Sequence, residues 1–192
     1  MSLRDNIAHD YVGRAGLKLE GANKVFKIDF RGKTVLDIGS STGGFSDFSL
    51  KNAAKKIIAV EKGTDQLHPK LKMDSRIELL ERTDIRKLSS LSSKPDIVLI
   101  DVSFVSLREI LPYAGKLAGK QADYLVLLKP QFEAPSSAKH QGIIKNEHIR
   151  RQILKDFESW IKQHGFIVVN KADSPIAGAK GNKERFYLLN KA

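Results

Sequence analysis

Short, wholly apolar runs recur along the chain, and they restrict its fold more than any other feature. Ile97-Val98-Leu99-Ile100, Tyr124-Leu125-Val126-Leu127-Leu128 and Phe166-Ile167-Val168-Val169 lack the polar alternation of a half-solvated sheet. Strands of that kind are buried on both faces, as in parallel sheets covered by helices. Amphipathic stretches separate the runs, which is the alternation of strand-helix units. Strands are expected at Thr34–Ile38, Lys56–Val60, Ile77–Leu80, Asp96–Asp101, Tyr124–Leu128, Phe166–Lys171 and Arg185–Leu189. Helices are expected at Gly44–Asn52, Thr64–Met73, Ser106–Leu117 and Glu147–His164. In the last helix Ile149, Ile153, Phe157, Trp160 and Ile161 fall near helical spacing, which assigns Trp160 to the core. The final two strands are joined by a loop alone and should pair antiparallel. The expected fold is α/β: a mainly parallel seven-stranded sheet with an antiparallel last strand and helices on both faces. Glu133–Asn146, with Pro135, Ser136, Ser137 and Gly142, shows no periodicity and is expected to be a long, functional loop.

A length of 192 residues suits one domain, 1–192, whose first 33 residues precede the first strand. Lys and Arg number 33 against 22 Asp and Glu, a net charge of +11. Clustered cations gain free energy by releasing counterions from phosphates, so this balance favours a polyanionic partner. The absence of cysteine excludes disulfides, thiolate catalysis and cysteine-ligated zinc. His9, His68, His140, His148 and His164 are scattered without ligand spacing, so no metal is expected. No apolar run approaches the roughly 20 residues of a membrane span, and no signal peptide opens the chain. A cytoplasmic protein without membrane association is expected.

The first strand runs into Gly39-Ser40-Ser41-Thr42-Gly43-Gly44-Phe45, a glycine-rich turn that opens a helix. Glycines there let backbone approach a ligand closely. The spacing is neither the GxGxxG of a dinucleotide site nor the GK[ST] of a phosphate loop, so a ligand without phosphates fits better. S-adenosylmethionine is such a ligand: its amino acid end can meet backbone amides while Asp37 faces its ammonium. Glu61 ends the next strand, where a carboxylate can accept both ribose hydroxyls of an adenosyl group. Asp84 follows the third strand and is placed to accept the adenine amino group.

Further motifs follow in order: Tyr11-Val12-Gly13-Arg14-Ala15-Gly16-Leu17-Lys18-Leu19, Asp101-Val102-Ser103-Phe104, Lys129-Pro130-Gln131-Phe132-Glu133 and Gly181-Asn182-Lys183-Glu184. With the glycine-rich turn, they make the chain resemble the TlyA family, historically called hemolysins, within the FtsJ-like ribose 2′-O-methyltransferases. The likeness runs from residue 11 to residue 184. It departs from the family pattern in small residues, with Gly13 and Ala15 where Ser and Gly are usual and Ser40 where Ala is common. The small N-terminal RNA-binding domain usual in the family is expected to be absent from this chain. The resemblance implies a Rossmann-like class I methyltransferase using S-adenosylmethionine, a cytidine in ribosomal RNA or a ribosomal subunit as substrate, and a tetrad of Lys18, Asp101, Lys129 and Glu184.

That chemistry needs a base, since a ribose hydroxyl is a poor nucleophile at neutral pH. A free Lys is protonated there, while burial and a neighbouring ammonium favour the neutral amine and nearby carboxylates oppose it. Lys129 is the expected base, Lys18 the second ammonium, and Asp101 and Glu184 the orienting groups, with Asp101 also at the cofactor. Arg14, Lys139, Lys145, Lys180 and Lys183 are candidate phosphate contacts, and Phe104 and Phe132 either line the substrate slot or pack. Three other readings start from the same sequence. A base-directed or small-molecule methyltransferase would not need the two lysines, a membrane-active cytolysin would need an exposed apolar span or a membrane-seeking amphipathic helix, and an RNA-binding module would bind no cofactor.

Overall fold

The structure, a computed structural model, describes residues 11–134 and 142–192. Seven strands form one sheet: β1 (Thr34–Ile38), β2 (Lys56–Val60), β3 (Ile77–Leu80), β4 (Ile97–Ile100), β5 (Asp123–Leu128), β6 (Phe166–Asp173) and β7 (Arg185–Lys191). Their spatial order is β3-β2-β1-β4-β5-β7-β6. The first five pair in parallel, whereas β7 runs antiparallel to both β5 and β6. The order reverses at β1, so β2 and β4 leave it on opposite sides. Open sheets bind ligands in the crevice outside the carboxyl ends of strands at such a point.

Residues alternate between two apolar layers. On one face Leu36, Val98, Tyr124 and Tyr187 meet Leu111 of α4 (Leu107–Ala118) and Phe157 and Ile161 of α6 (Glu147–Gln163). On the other face Val35, Ile57, Leu125 and Phe186 meet Leu19 and Phe26 of α1 (Arg14–Phe26) and Phe48 of α2 (Gly44–Lys51). Burial on both faces explains why β4 and β5 are continuously apolar, whereas the edge strand β6, expected to be buried likewise, exposes Ile167 and Val169. Trp160 is half-buried against the first layer, its ring stacked 4.0 Å from that of His164.

Two expectations need correction. The helix expected at Thr64–Met73 contracts to a single turn, α3 (Pro69–Lys72), capped by the His68 side chain, which accepts from the Lys70 N–H. Pro69 lacks an N–H and disfavours helical backbone at the residue before it, and His68 is indeed non-helical at ψ 136°. The loop expected from Glu133 is shorter at its start, because Pro130–Glu133 form a helical turn, α5. A further helix not expected from the sequence, α1, packs across α2. Among the described residues no helix is long and apolar enough to cross a membrane.

Candidate active site

The turn after β1 is built around contact with the end of β4. Gly39 has φ 81°, and a Cβ there would lie 2.6 Å from the Asp101 carbonyl oxygen, so glycine alone fits both demands. The Asp101 N–H donates to the Ile38 carbonyl at 3.1 Å, closing the two strand ends together. Ser41, also left-handed at φ 47°, donates its N–H to Glu61 Oε2 at 2.9 Å, and Gly63 donates to Glu61 Oε1 at 2.7 Å. Glu61 thereby ties the turn to the end of β2. Gly44 begins α2 where α1 crosses it: a Cβ there would stand 2.9 Å from that of Ala15.

Two chambers open at this edge. The larger, about 710 Å³, has apolar walls from Ile38, Val60, Ile85, Val102 and Ile110, with Glu61 and Asp84 at its border. The smaller, about 170 Å³, is lined by Ala15, Asp37, Ser40, Thr42, Phe45 and Lys129. Gly39, Ser41, Asp101 and Ser103 border both. Asp37 is fully buried, and burial pushes its carboxyl up to about 7, with the Asp101 and Glu61 carboxylates adding to the rise and the hydrogen bond from Ser46 Oγ opposing it. That bond goes to Oδ2 at 2.6 Å, while Oδ1 and the nearby Ser40 Oγ have no protein partner. Asp84 is held differently. Arg86 grips both its oxygens, which draws the carboxyl down to about 2.

The four residues of the tetrad meet at this edge as two ion pairs. Lys129, directly after β5, places Nζ 2.6 Å from Asp101 Oδ1, and the same Nζ donates to Ser103 Oγ at 2.9 Å. Lys18, on the inner face of α1, places Nζ 2.6 Å from Glu184 Oε2, with the Glu184 side chain 2% exposed. Sheet register brings the pairs together. The β5–β7 ladder ends at Leu128–Arg185, so Lys129 and Glu184 face each other one step beyond it. The Ser174 N–H donates to the Glu184 carbonyl at 2.9 Å and holds that position against the end of β6.

The candidate phosphate contacts are less uniform. Arg14, Lys145 and Lys180 are exposed, whereas Lys183 is already paired with Glu147 at 2.6 Å. Lys139 lies outside the described residues. Phe104 is 91% exposed at φ 64°, a left-handed conformation costly for a bulky side chain, and its ring lies 5.1 Å from that of Phe132. Its apolar ring therefore faces solvent beside the lysine and carboxylate pair.

Two supporting groups escaped the sequence reading. Glu133, on α5, accepts from Ser106 Oγ at 2.5 Å and from the Leu107 N–H at 2.6 Å, where α4 begins. Its side chain is 1% exposed, and burial raises its pKa. Asn182 clasps the segment before α6, accepting from the Ile144 N–H at 3.0 Å and donating to the Gly142 carbonyl at 2.8 Å. Both lie in motifs noted above, and that placement was the available signal.

Comparison with known proteins bears on this arrangement. A family model described as FtsJ-like methyltransferase matches residues 11–191. The 23S rRNA (cytidine-2′-O)-methyltransferase TlyA of Campylobacter jejuni is 39% identical over 189 residues, covering 97% of this chain and 74% of its own length. Hemolysin A of Brachyspira hyodysenteriae is 43% identical over 184 residues, covering 94% of this chain and 76% of its own length. A solved hemolysin-type structure from Lactococcus lactis superposes with a TM-score of 0.91 at 40% identity, covering 95% of this chain and 89% of that one. The chain spans between 65% and 76% of the length of the curated relatives it matches.

Proposed function

The chain belongs to the family of FtsJ-like methyltransferases, and from that premise we propose that it methylates the 2′-hydroxyl of a ribose, that of a cytidine in ribosomal RNA. The observation that carries the reading is the pair of lysine-carboxylate contacts, Lys129–Asp101 and Lys18–Glu184, set beside the Gly39–Phe45 turn. The curated relative from Campylobacter jejuni carries the same activity in its name. A methyltransferase acting on a base has no need of two lysines held in this way.

S-adenosylmethionine fits the chambers. Asp37 Oδ1 and Ser40 Oγ are buried polar atoms without a protein partner, suited to the ammonium and carboxylate of an amino acid. Glu61 retains a lone pair on each oxygen for ribose hydroxyls, and the apolar walls by Ile85 and Ile110 suit adenine, with Asp84 at the rim. When bound, it supplies an electrophilic methyl whose carbon–sulfur bond breaks as a carbon–oxygen bond forms, leaving a neutral thioether.

Lys129, as the neutral amine, takes the proton of the ribose hydroxyl. Asp101 orients that amine, and the ammonium formed stays beside the Asp101 carboxylate. Lys18 places a second positive charge at the same edge, fixed by Glu184. Arg14, Lys145 and Lys180 are exposed for RNA phosphates, and Phe104 offers a face to an unpaired base. The test is to incubate the chain and labelled S-adenosylmethionine with bacterial ribosomal subunits lacking the modification, then digest the RNA to nucleosides. Label in 2′-O-methylcytidine is expected; label on a base overturns the reading.

A further inference from the structure

Ser103 belongs to the segment Asp101-Val102-Ser103-Phe104, and the chemistry above leaves its hydroxyl without a task. It borders both chambers, and its Oγ lies 2.9 Å from Lys129 Nζ, the atom that is also 2.6 Å from Asp101 Oδ1. A lysine that accepts a proton is a neutral amine, with two N–H bonds and one lone pair. Asp101 Oδ1 meets Nζ as an ion-pair contact rather than a directed hydrogen bond, so its charge turns the lone pair away from that side but leaves it two directions. An acceptor removes that choice. With one N–H held by Ser103 and the carboxylate charge on another side, a tetrahedral nitrogen has a single direction left, and the lone pair occupies it.

We propose that Ser103 is a positioning residue that fixes the lone pair of Lys129 for the incoming ribose hydroxyl. The inference rests on the function proposed above. As the proton transfers, the ribose O–H bond breaks and an N–H bond forms in that third direction, while the hydrogen bond to Ser103 and the ion-pair contact with Asp101 persist. The partners are held in register by a second set of contacts across the same two loops. Four residues beyond Lys129, Glu133 accepts from Ser106 Oγ and the Leu107 N–H, so the loop carrying Ser103 is tied at both ends to the turn carrying Lys129.

The test compares the full chain with Ser103→Ala and Ser103→Thr, using ribosomal subunits and S-adenosylmethionine. Ser103→Ala should lower kcat by about tenfold, the scale of a misoriented reacting group. KM for the subunits, the calorimetric Kd for S-adenosylmethionine and Tm should each stay close to wild type, because Ser103 is exposed. Ser103→Thr, which keeps a hydroxyl, should recover most of the rate. Unchanged kcat in Ser103→Ala overturns the proposal, as does a loss carried by KM or Kd, or a Thr variant as slow as the Ala one. A wild-type chain that forms no 2′-O-methylribose on any subunit removes the proposed function and this inference together. An active wild type indifferent to Ser103 removes this inference alone.

Discussion

Glu184 stands opposite Lys129, one step past the end of the β5–β7 ladder, yet its carboxylate turns to Lys18 and leaves Lys129 to Asp101. Each ammonium therefore has its own counter-charge, and the two lysines sit at one sheet edge without sharing a carboxylate. Removing one member has different consequences for the two pairs.

Lys129→Ala removes the proposed base and nothing that shapes the cofactor chambers apart from part of one wall. Methyl transfer to ribosomal RNA should fall by at least about 10²-fold, the scale of general-base assistance. The Kd for S-adenosylmethionine, by calorimetry, should stay within about threefold. Substantial residual turnover would show that another group takes the proton.

Glu184→Ala acts on the fold as well as on the chemistry. The Lys18–Glu184 pair is nearly removed from water, so deleting the carboxylate strands a buried ammonium. Such a loss costs about 3–5 kcal/mol. Urea unfolding should report it as a lower midpoint. The double variant Lys18→Met with Glu184→Leu should recover part of the difference, because it leaves no buried charge unpaired. Equal destabilisation in the single and double variants would contradict this account.

Asp37 couples the cofactor site to pH. Its carboxyl, raised by burial from 3.8 to about 7, binds a proton in the folded chain that the unfolded chain has released. The stability it contributes is present below the unfolded value and is lost as pH rises through the folded one. S-adenosylmethionine works in the opposite sense, since its ammonium favours the ionised carboxylate. Affinity should therefore rise about tenfold from pH 6 to pH 8, with proton release on binding near pH 7. Asp37→Asn should bind weakly and flatten that dependence. Calorimetry in buffers of different ionisation enthalpy measures both, and equal affinity at pH 6 and pH 8 would rule out an Asp37–ammonium contact.

Glu133→Ala leaves Ser106 as the N-cap of α4 but removes the acceptor of the Leu107 N–H and the tie between the two loops that carry Asp101 and Lys129. A lost hydrogen bond costs about 1 kcal/mol. Hydrogen exchange should rise at the Leu107 amide before it changes in β4 or β5. Glu133→Gln retains an acceptor for that amide and should fall between the two. If exchange at Leu107 is the same in all three proteins, the tie has no role in holding the loop.

The sheet was legible because its strands are buried twice over: Ile97–Ile100 and Tyr124–Leu128 admit no other use for so many consecutive apolar residues. Helix α1 was harder to see. Gly16 and Gly21 lower its intrinsic preference, and Lys18 occupies one of the positions that face the core. That lysine is tolerated inside because its partner is 166 residues away, a fact no local window contains. The same holds for the site. Motif order placed the charged residues at strand ends, but which carboxylate meets which ammonium follows from a strand register fixed only on folding. Asp84 is the opposite case: its restraint by Arg86 is two residues away and within reach of inspection.

Strand β7 is the last in the sequence and yet lies inside the sheet, with β5 on one side and β6 on the other. Until it arrives, two unfinished rows of backbone groups face each other across an empty lane, and neither neighbour can satisfy the other. Glu184 directly precedes the first residue of that strand. Closure of the sheet and the Lys18–Glu184 pair thus depend on the same strand, so a chain without β7 in place should combine a sticky, open β surface with only half of its lysine-carboxylate edge.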